Sequence, residues 1–222
     1  MKTASLAFLA VLVATPAAGL AGSRASVPLP AVKADAPFPL EKAMKVRRST
    51  RALKETPVSL DAVARLAWAA QGVTDDKGHR TTPSARATYP LDVYVVAGAV
   101  TGLPAGVYRY VPATHSLEPV SQGDRRKEMV DAAIGQAWVA KAPVSLVITA
   151  TPERAREKMG GNAPRFAPVE AGLAAQDVLL EEVSLGLGGT YVGGFDSEKL
   201  RTFLGLPTGT EPWAVLPAGF PE

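Results

Sequence analysis

Cysteine is absent from the chain, and histidine occurs only at His79 and His115. Without cysteine there can be no disulfide and no cysteine nucleophile. Two histidines leave no plausible zinc cluster and little material for a histidine-based triad. Charge of either sign is also scarce in excess: 24 Lys and Arg stand against 21 Asp and Glu, a net +3. That small surplus suits an anionic small molecule as readily as a surface and gives no argument for nucleic acid.

Long apolar runs are missing too. The first, Ala4 to Ala14, falls short of the ~20 residues that a membrane helix needs. It follows Lys2 and precedes Pro16, Ala17, Ala18, Gly19 and Ala21, the pattern of a secretory signal peptide. Residues 1–21 are therefore expected to be removed on export to the periplasm or the exterior, with Ala25 as a second cleavage point. No twin arginine precedes the run, which favours export of an unfolded chain. No membrane insertion is expected after cleavage. Roughly 200 residues remain, enough for one domain with a sizeable core.

Residues 22–39 form a proline-rich arm in which Pro28, Pro30, Pro37 and Pro39 leave little room for helix or ladder. In residues 40–222, Ser59 or Asp61 caps a predicted helix from Leu60 to Gln71 that Gly72 stops. The polar stretch Thr74 to Thr82 reads as a loop. Strands are predicted at Leu91–Ala97 and Gly106–Val111, a helix at Asp124–Ile134, and a buried strand at Val144–Ala150. Val169 to Leu185 has apolar positions on most faces, as expected of a helix that is central or lies at a subunit interface. A short strand at Thr190–Val192, a helix at Ser197–Leu204 capped near Asp196, and a strand at Trp213–Leu216 complete an α+β domain with a central sheet.

Three segments carry candidate chemistry. Arg47-Arg48-Ser49-Thr50-Arg51 concentrates guanidinium forks that match phosphate oxygens two at a time, although a solvated basic turn has the same composition. Pro83-Ser84-Ala85-Arg86 leads through Tyr89-Pro90 into a strand, where backbone amides can approach a flat ligand; an ordinary proline-bounded turn is the alternative. Gly186 to Asp196 packs five glycines around a short strand, either to bring amides to a ligand or simply to end a helix.

In this order, together with Ala175-Gln176-Asp177, Leu185-Gly186-Leu187-Gly188, Val192-Gly193-Gly194-Phe195-Asp196, Leu204-Gly205-Leu206-Pro207 and Pro217-Ala218-Gly219-Phe220-Pro221, the segments resemble the FMN-dependent nitroreductase superfamily. The proline-serine-alanine loop running into tyrosine-proline is similar to its SagB/thiazole-oxidase-like dehydrogenase branch. The resemblance covers nearly all of the mature chain. It implies a central, mostly antiparallel sheet flanked by helices, in an interlocked homodimer binding FMN at the subunit interface. Arg47, Arg48, Ser49 and Arg51 would hold the ribityl phosphate and the flavin's pyrimidine edge. Pro83, Ser84 and Ala85 would reach the partner's flavin, and Gly193 and Gly194 would present amides near the reactive nitrogen. Gln136 is a candidate for the pyrimidine edge or a plain helix-end glutamine.

The chain departs from the family pattern at three places. Gly193 stands where many relatives have an acid, and Asp177 where asparagine is common. No basic residue follows Pro221, so the arginines near residue 50 are expected to carry more of the phosphate, or Arg86 to help. The implied activity is hydride transfer between a donor and a small organic substrate on FMN. A flavin-binding electron relay and an apo structural dimer remain as alternatives.

Overall fold

The mostly apolar sequences at residues 91–97 and 144–150 require both faces of those strands to be covered, and the layers of the fold follow from that. The computed structural model describes residues 25–33 and 38–222; the expected signal segment lies outside the described residues, as do residues 34–37 of the arm. In chain order the elements are β1 (Val27–Pro28), α1 (Leu40–Val46), β2 (Val58–Ser59), α2 (Leu60–Gln71), β3 (Leu91–Ala97), β4 (Val100–Thr101), β5 (Gly106–Val111), β6 (Ser116–Gln122), α3 (Arg126–Ala132), β7 (Val144–Ala150), α4 (Glu153–Met159), α5 (Ala163–Ser184), β8 (Gly188–Gly189), α6 (Ser197–Leu204) and β9 (Glu211–Gly219). Seven strands form one antiparallel sheet in the order β1-β6-β5-β3-β7-β9-β8, while β2 and β4 pair separately and parallel.

Alternation along the central strands assigns each side chain to a layer. Val93, Val95, Leu146, Ile148 and Leu216 meet α2 and α5 through Val63, Leu66, Ala171, Ala174 and Val178. Tyr94, Val96, Val147 and Val215 point the other way, onto Met129 of α3 and Leu200, Phe203 and Leu204 of α6. The result is the α+β domain predicted from the sequence, a central antiparallel sheet flanked by helices.

Side-chain caps fix the best-defined helices. Ser59 Oγ accepts the Ala62 N–H at 3.1 Å at the start of α2, and an Asp196 carboxylate oxygen accepts the Lys199 N–H at 3.0 Å at the start of α6. Other bounds differ from expectation. Helix α5 begins at Ala163, ahead of Val169, because Pro164 falls in the first turn, where no N–H is needed. The arm is not wholly extended coil: β1 pairs with β6 at the sheet edge, the one place where Pro28 is tolerated in a ladder. Helix α1 buries only Ala43, so it carries little apolar signal. The strand expected at Thr190–Val192 is replaced by β8 at Gly188–Gly189 and an isolated bridge between Val192 and Val215. Trp68 is half-buried, its Nε1 donating to the Val73 carbonyl at 3.3 Å.

Candidate functional site

The arginine run lies on backbone that is stitched at several points, unlike a free surface turn. Arg47 caps α1 with its N–H on the Ala43 carbonyl at 2.9 Å. Ser49 then bridges to Gly189, and the Thr50 N–H donates to the Gly189 carbonyl at 2.8 Å. Just beyond, buried Leu53 bridges to Pro221 and the Lys54 N–H reaches the Phe220 carbonyl at 2.8 Å. Residues 49–54 are thus fastened between β8 and the segment after β9.

The three guanidinium groups have different surroundings. Arg48 is exposed and folds back, its Nη1 donating to the carbonyls of Lys45 at 3.0 Å and Arg47 at 2.7 Å. The Arg51 guanidinium lies over the Trp138 ring, 6.0 Å from its centroid, a cation–π geometry that pre-orients the fork. Arg47 is half-buried and lies in the field of Glu182, a carboxyl at the end of α5 that is 1% exposed. Burial pushes the Glu182 carboxyl up to about 8, with Arg47 acting in the opposite direction. Glu182 underlies β8: a Cβ on Gly189 would stand 2.5 and 2.7 Å from its two oxygens and closer still to the Pro217 carbonyl, so only glycine fits there.

The glycine turn and Gln136 join the same neighbourhood. Gln136 Nε2 donates to the Gly194 carbonyl at 3.0 Å and to the Ala133 carbonyl at 3.0 Å, so its amide nitrogen positions the turn. Gly193 and Gly194 are both exposed. At Gly193 a Cβ would fall 2.8 Å from the Tyr191 ring, which is itself fixed by its hydroxyl on the Trp213 carbonyl at 2.8 Å. Tyr191 thus fills the space that a side chain at 193 would occupy.

The Pro83–Arg86 loop is elsewhere in the chain's own frame. The Ala85 N–H donates to Glu170 Oε1 at 2.8 Å, and Arg86 Nη1 donates to the Lys158 carbonyl at 2.9 Å. Ser84 Oγ accepts the Tyr89 N–H at 2.8 Å. Pro83 is exposed. Glu170 and Glu182 are both buried on α5 but ~18 Å apart along its axis, so this loop and the arginine run do not meet within one subunit. Arg86, Ala87 and Tyr89 all have positive φ, at 53°, 52° and 45°, a concentration of backbone strain typical of functional loops.

A family model described as the nitroreductase family matches residues 44–220, which includes the arginine run, the Pro83 loop and the glycine turn. The chain belongs to the nitroreductase family. It is 38% identical over 180 residues to a Methanocaldococcus jannaschii protein named as a nitroreductase, covering 81% of this chain and 90% of that one. Among solved structures, a nitroreductase from Ralstonia eutropha matches at 31% identity and a TM-score of 0.78, over 96% of this chain and 97% of its own. The Escherichia coli microcin synthetase McbBCD complex, solved with truncated pro-MccB17 bound, matches at a TM-score of 0.69 and 21% identity, over 96% of this chain and 85% of that chain; this is a likeness of fold.

For a nitroreductase-family chain the arrangement fits a flavin phosphate. Arg47 and Arg51 present cations on fixed backbone, and the space above Gly194 is open, with nothing nearer to a Cβ there than Gln136 Nε2 at 4.0 Å. Sequence reasoning missed Glu182 and Trp138. Glu182 follows Val178 by four residues and Leu179 by three, on the buried face of α5, but a helix with apolar positions on most faces has no stripe to single it out.

Proposed function

We propose that this nitroreductase-family oxidoreductase is FMN-dependent and acts on a small organic substrate as a homodimer with two flavin sites. The observation that carries the reading is the fixed arginine run beside the glycines of β8 and the following turn. When bound, FMN would supply the two-electron, ping-pong chemistry between a hydride donor and an acceptor. The chain's part is to bind, orient and polarise. Arg47, Ser49 and Arg51 hold the phosphate, while Arg48, tied to its own backbone, adds mainly potential. The exposed amides of Gly193 and Gly194 would be available to the ring, on a turn held by Gln136. Positive potential from the run would favour negative charge on the bound ring. No protein nucleophile is required, in keeping with the absence of cysteine.

Exposed apolar side chains support the dimer. Leu40 and Met44 on α1, at 56% and 58%, and Val169 and Leu173 on α5, at 59% and 44%, recur at i, i+4 on two helices that pack together. A partner covering them would bring a second Pro83 loop toward the arginine run, which one chain alone does not do. No helix among the described residues is long and apolar enough to cross a membrane.

Export and a SagB-type dehydrogenase specificity belong to the same proposal. The first rests on residues 1–21 and the second on the Pro83-to-Pro90 sequence. Export would separate the protein from cytoplasmic NAD(P)H, so a different donor is part of the reading. The test is anaerobic mixing of the FMN-loaded protein with NADPH, NADH or a reduced quinone, followed by a nitroaromatic or oxidised quinone. Bleaching and recovery of the flavin absorption are expected; no bleaching by any donor would contradict the enzyme reading.

A further inference from the structure

Glu182 is a buried acid that lies against β8, to which the arginine run is fastened. Its Oε1 is buried with no hydrogen-bond partner. Both carboxyl oxygens occupy the space that a Cβ on Gly189 would need, and the Gly189 carbonyl holds the Thr50 N–H. The adjacent Glu181 is turned away onto Arg65 at 2.6 Å. Around Glu182, β8 contributes the Gly189 backbone, and the loop after α1 contributes Arg47, the one charged group among the described residues whose field acts on the carboxyl. A carboxylate kept permanently ionised in such a place would require hydrogen bonds that it lacks.

We propose that Glu182 is a charge-regulating positioning residue of the phosphate site: uncharged, it leaves Arg47 to the ligand phosphate; ionised, it draws Arg47 to itself and repels the phosphate. The inference rests on the FMN reading above. Burial favours the uncharged form at neutral pH, with the transition at about 8. A phosphate monoester is already dianionic above about pH 6, so FMN affinity is highest between these limits. Above the upper one only the fraction with neutral Glu182 binds well, and affinity drops about tenfold per pH unit. Riboflavin, which has no phosphate, is insensitive to the switch.

The experiment is a fluorescence-quenching titration of the apoprotein with FMN and with riboflavin, at about pH 7 and about pH 9, for wild type and Glu182→Gln. The wild-type Kd for FMN is expected to rise about tenfold over that span and the Glu182→Gln value less than twofold, with riboflavin flat in both. An equal rise in the variant, or the same rise with riboflavin, would overturn the assignment while leaving FMN binding intact. Failure of wild type to bind FMN at neutral pH would instead refute the FMN reading. Should the variant not fold, calorimetry of wild type in buffers of different ionisation enthalpy gives a second readout. Uptake of up to about one proton per FMN near pH 8.5 supports the switch, and zero uptake overturns it.

Discussion

The Thr50 peptide N–H and the Gly189 carbonyl are joined by a 2.8 Å hydrogen bond that fastens the arginine run to β8. Gly189→Ala would drive a methyl group into the Pro217 carbonyl and the Glu182 carboxyl. Because backbone, and not only a flexible side-chain end, stands in the way, a loss of about 3 kcal/mol or more is expected, together with weakened FMN retention. Urea denaturation of apoprotein checks the first part, and equilibrium titration the second.

The arginines should not be equivalent. Arg47→Ala and Arg51→Ala each remove a charge-assisted phosphate contact, a loss of roughly 1.5 to 3 kcal/mol, or about one to two decades in Kd. Arg48 already spends its Nη1 on the carbonyls of Lys45 and Arg47. Its alanine variant is expected to stay within about 0.5 kcal/mol of wild type, measured as FMN affinity in the same buffer. An Arg48→Ala loss as large as that of Arg47→Ala would reverse the ranking.

Glu170 anchors the strained Pro83–Tyr89 loop through the Ala85 N–H. Glu170→Ala is expected to cost about 1.5 to 3 kcal/mol in stability and to raise amide hydrogen exchange across residues 84–89. If the loop serves the partner's flavin, FMN affinity falls in the same variant although the arginine run is untouched.

Glu182 also sets a pH trend in the apoprotein. Its folded-state value, about 8, lies above the ordinary 4.5, so between the two the folded state binds more protons than the unfolded one. Stability from this group is therefore fully present below the lower value and is lost as pH rises toward the upper one, by up to about 1.4 kcal/mol per pH unit. Glu182→Gln is expected to flatten the fall of the apoprotein's Tm across that window.

Much of this architecture can be read locally. Ser59 with Gly72 and Asp196 with Gly205 bracket α2 and α6 through capping chemistry that short sequence carries. The predominantly apolar sequences of β3 and β7, with apolar residues on both faces, show their burial directly. Strand β6 was hidden because Glu118, Pro119 and Gln122 interrupt its alternation and Val120 bulges out of register against β5. In α4, where Ala155 alone is buried, nothing apolar repeats. At the site, guanidinium density made the arginine run visible. The contacts of Arg51 with Trp138, Gln136 with Gly194 and Ala85 with Glu170 join residues distant in sequence, so no local pattern encodes them. Glu182 stayed hidden since a helical glutamate ordinarily faces water, and it is the packing of β8 that buries this one.

The most direct measurement is the absorption spectrum of the protein after incubation with FMN and removal of free flavin, taken for wild type and for the Arg47→Ala/Arg51→Ala double variant. Stoichiometric oxidised flavin in wild type and little or none in a folded double variant is the expected result. A colourless wild type, or equal retention by both proteins, would contradict the assignment of the arginine run as a flavin phosphate grip.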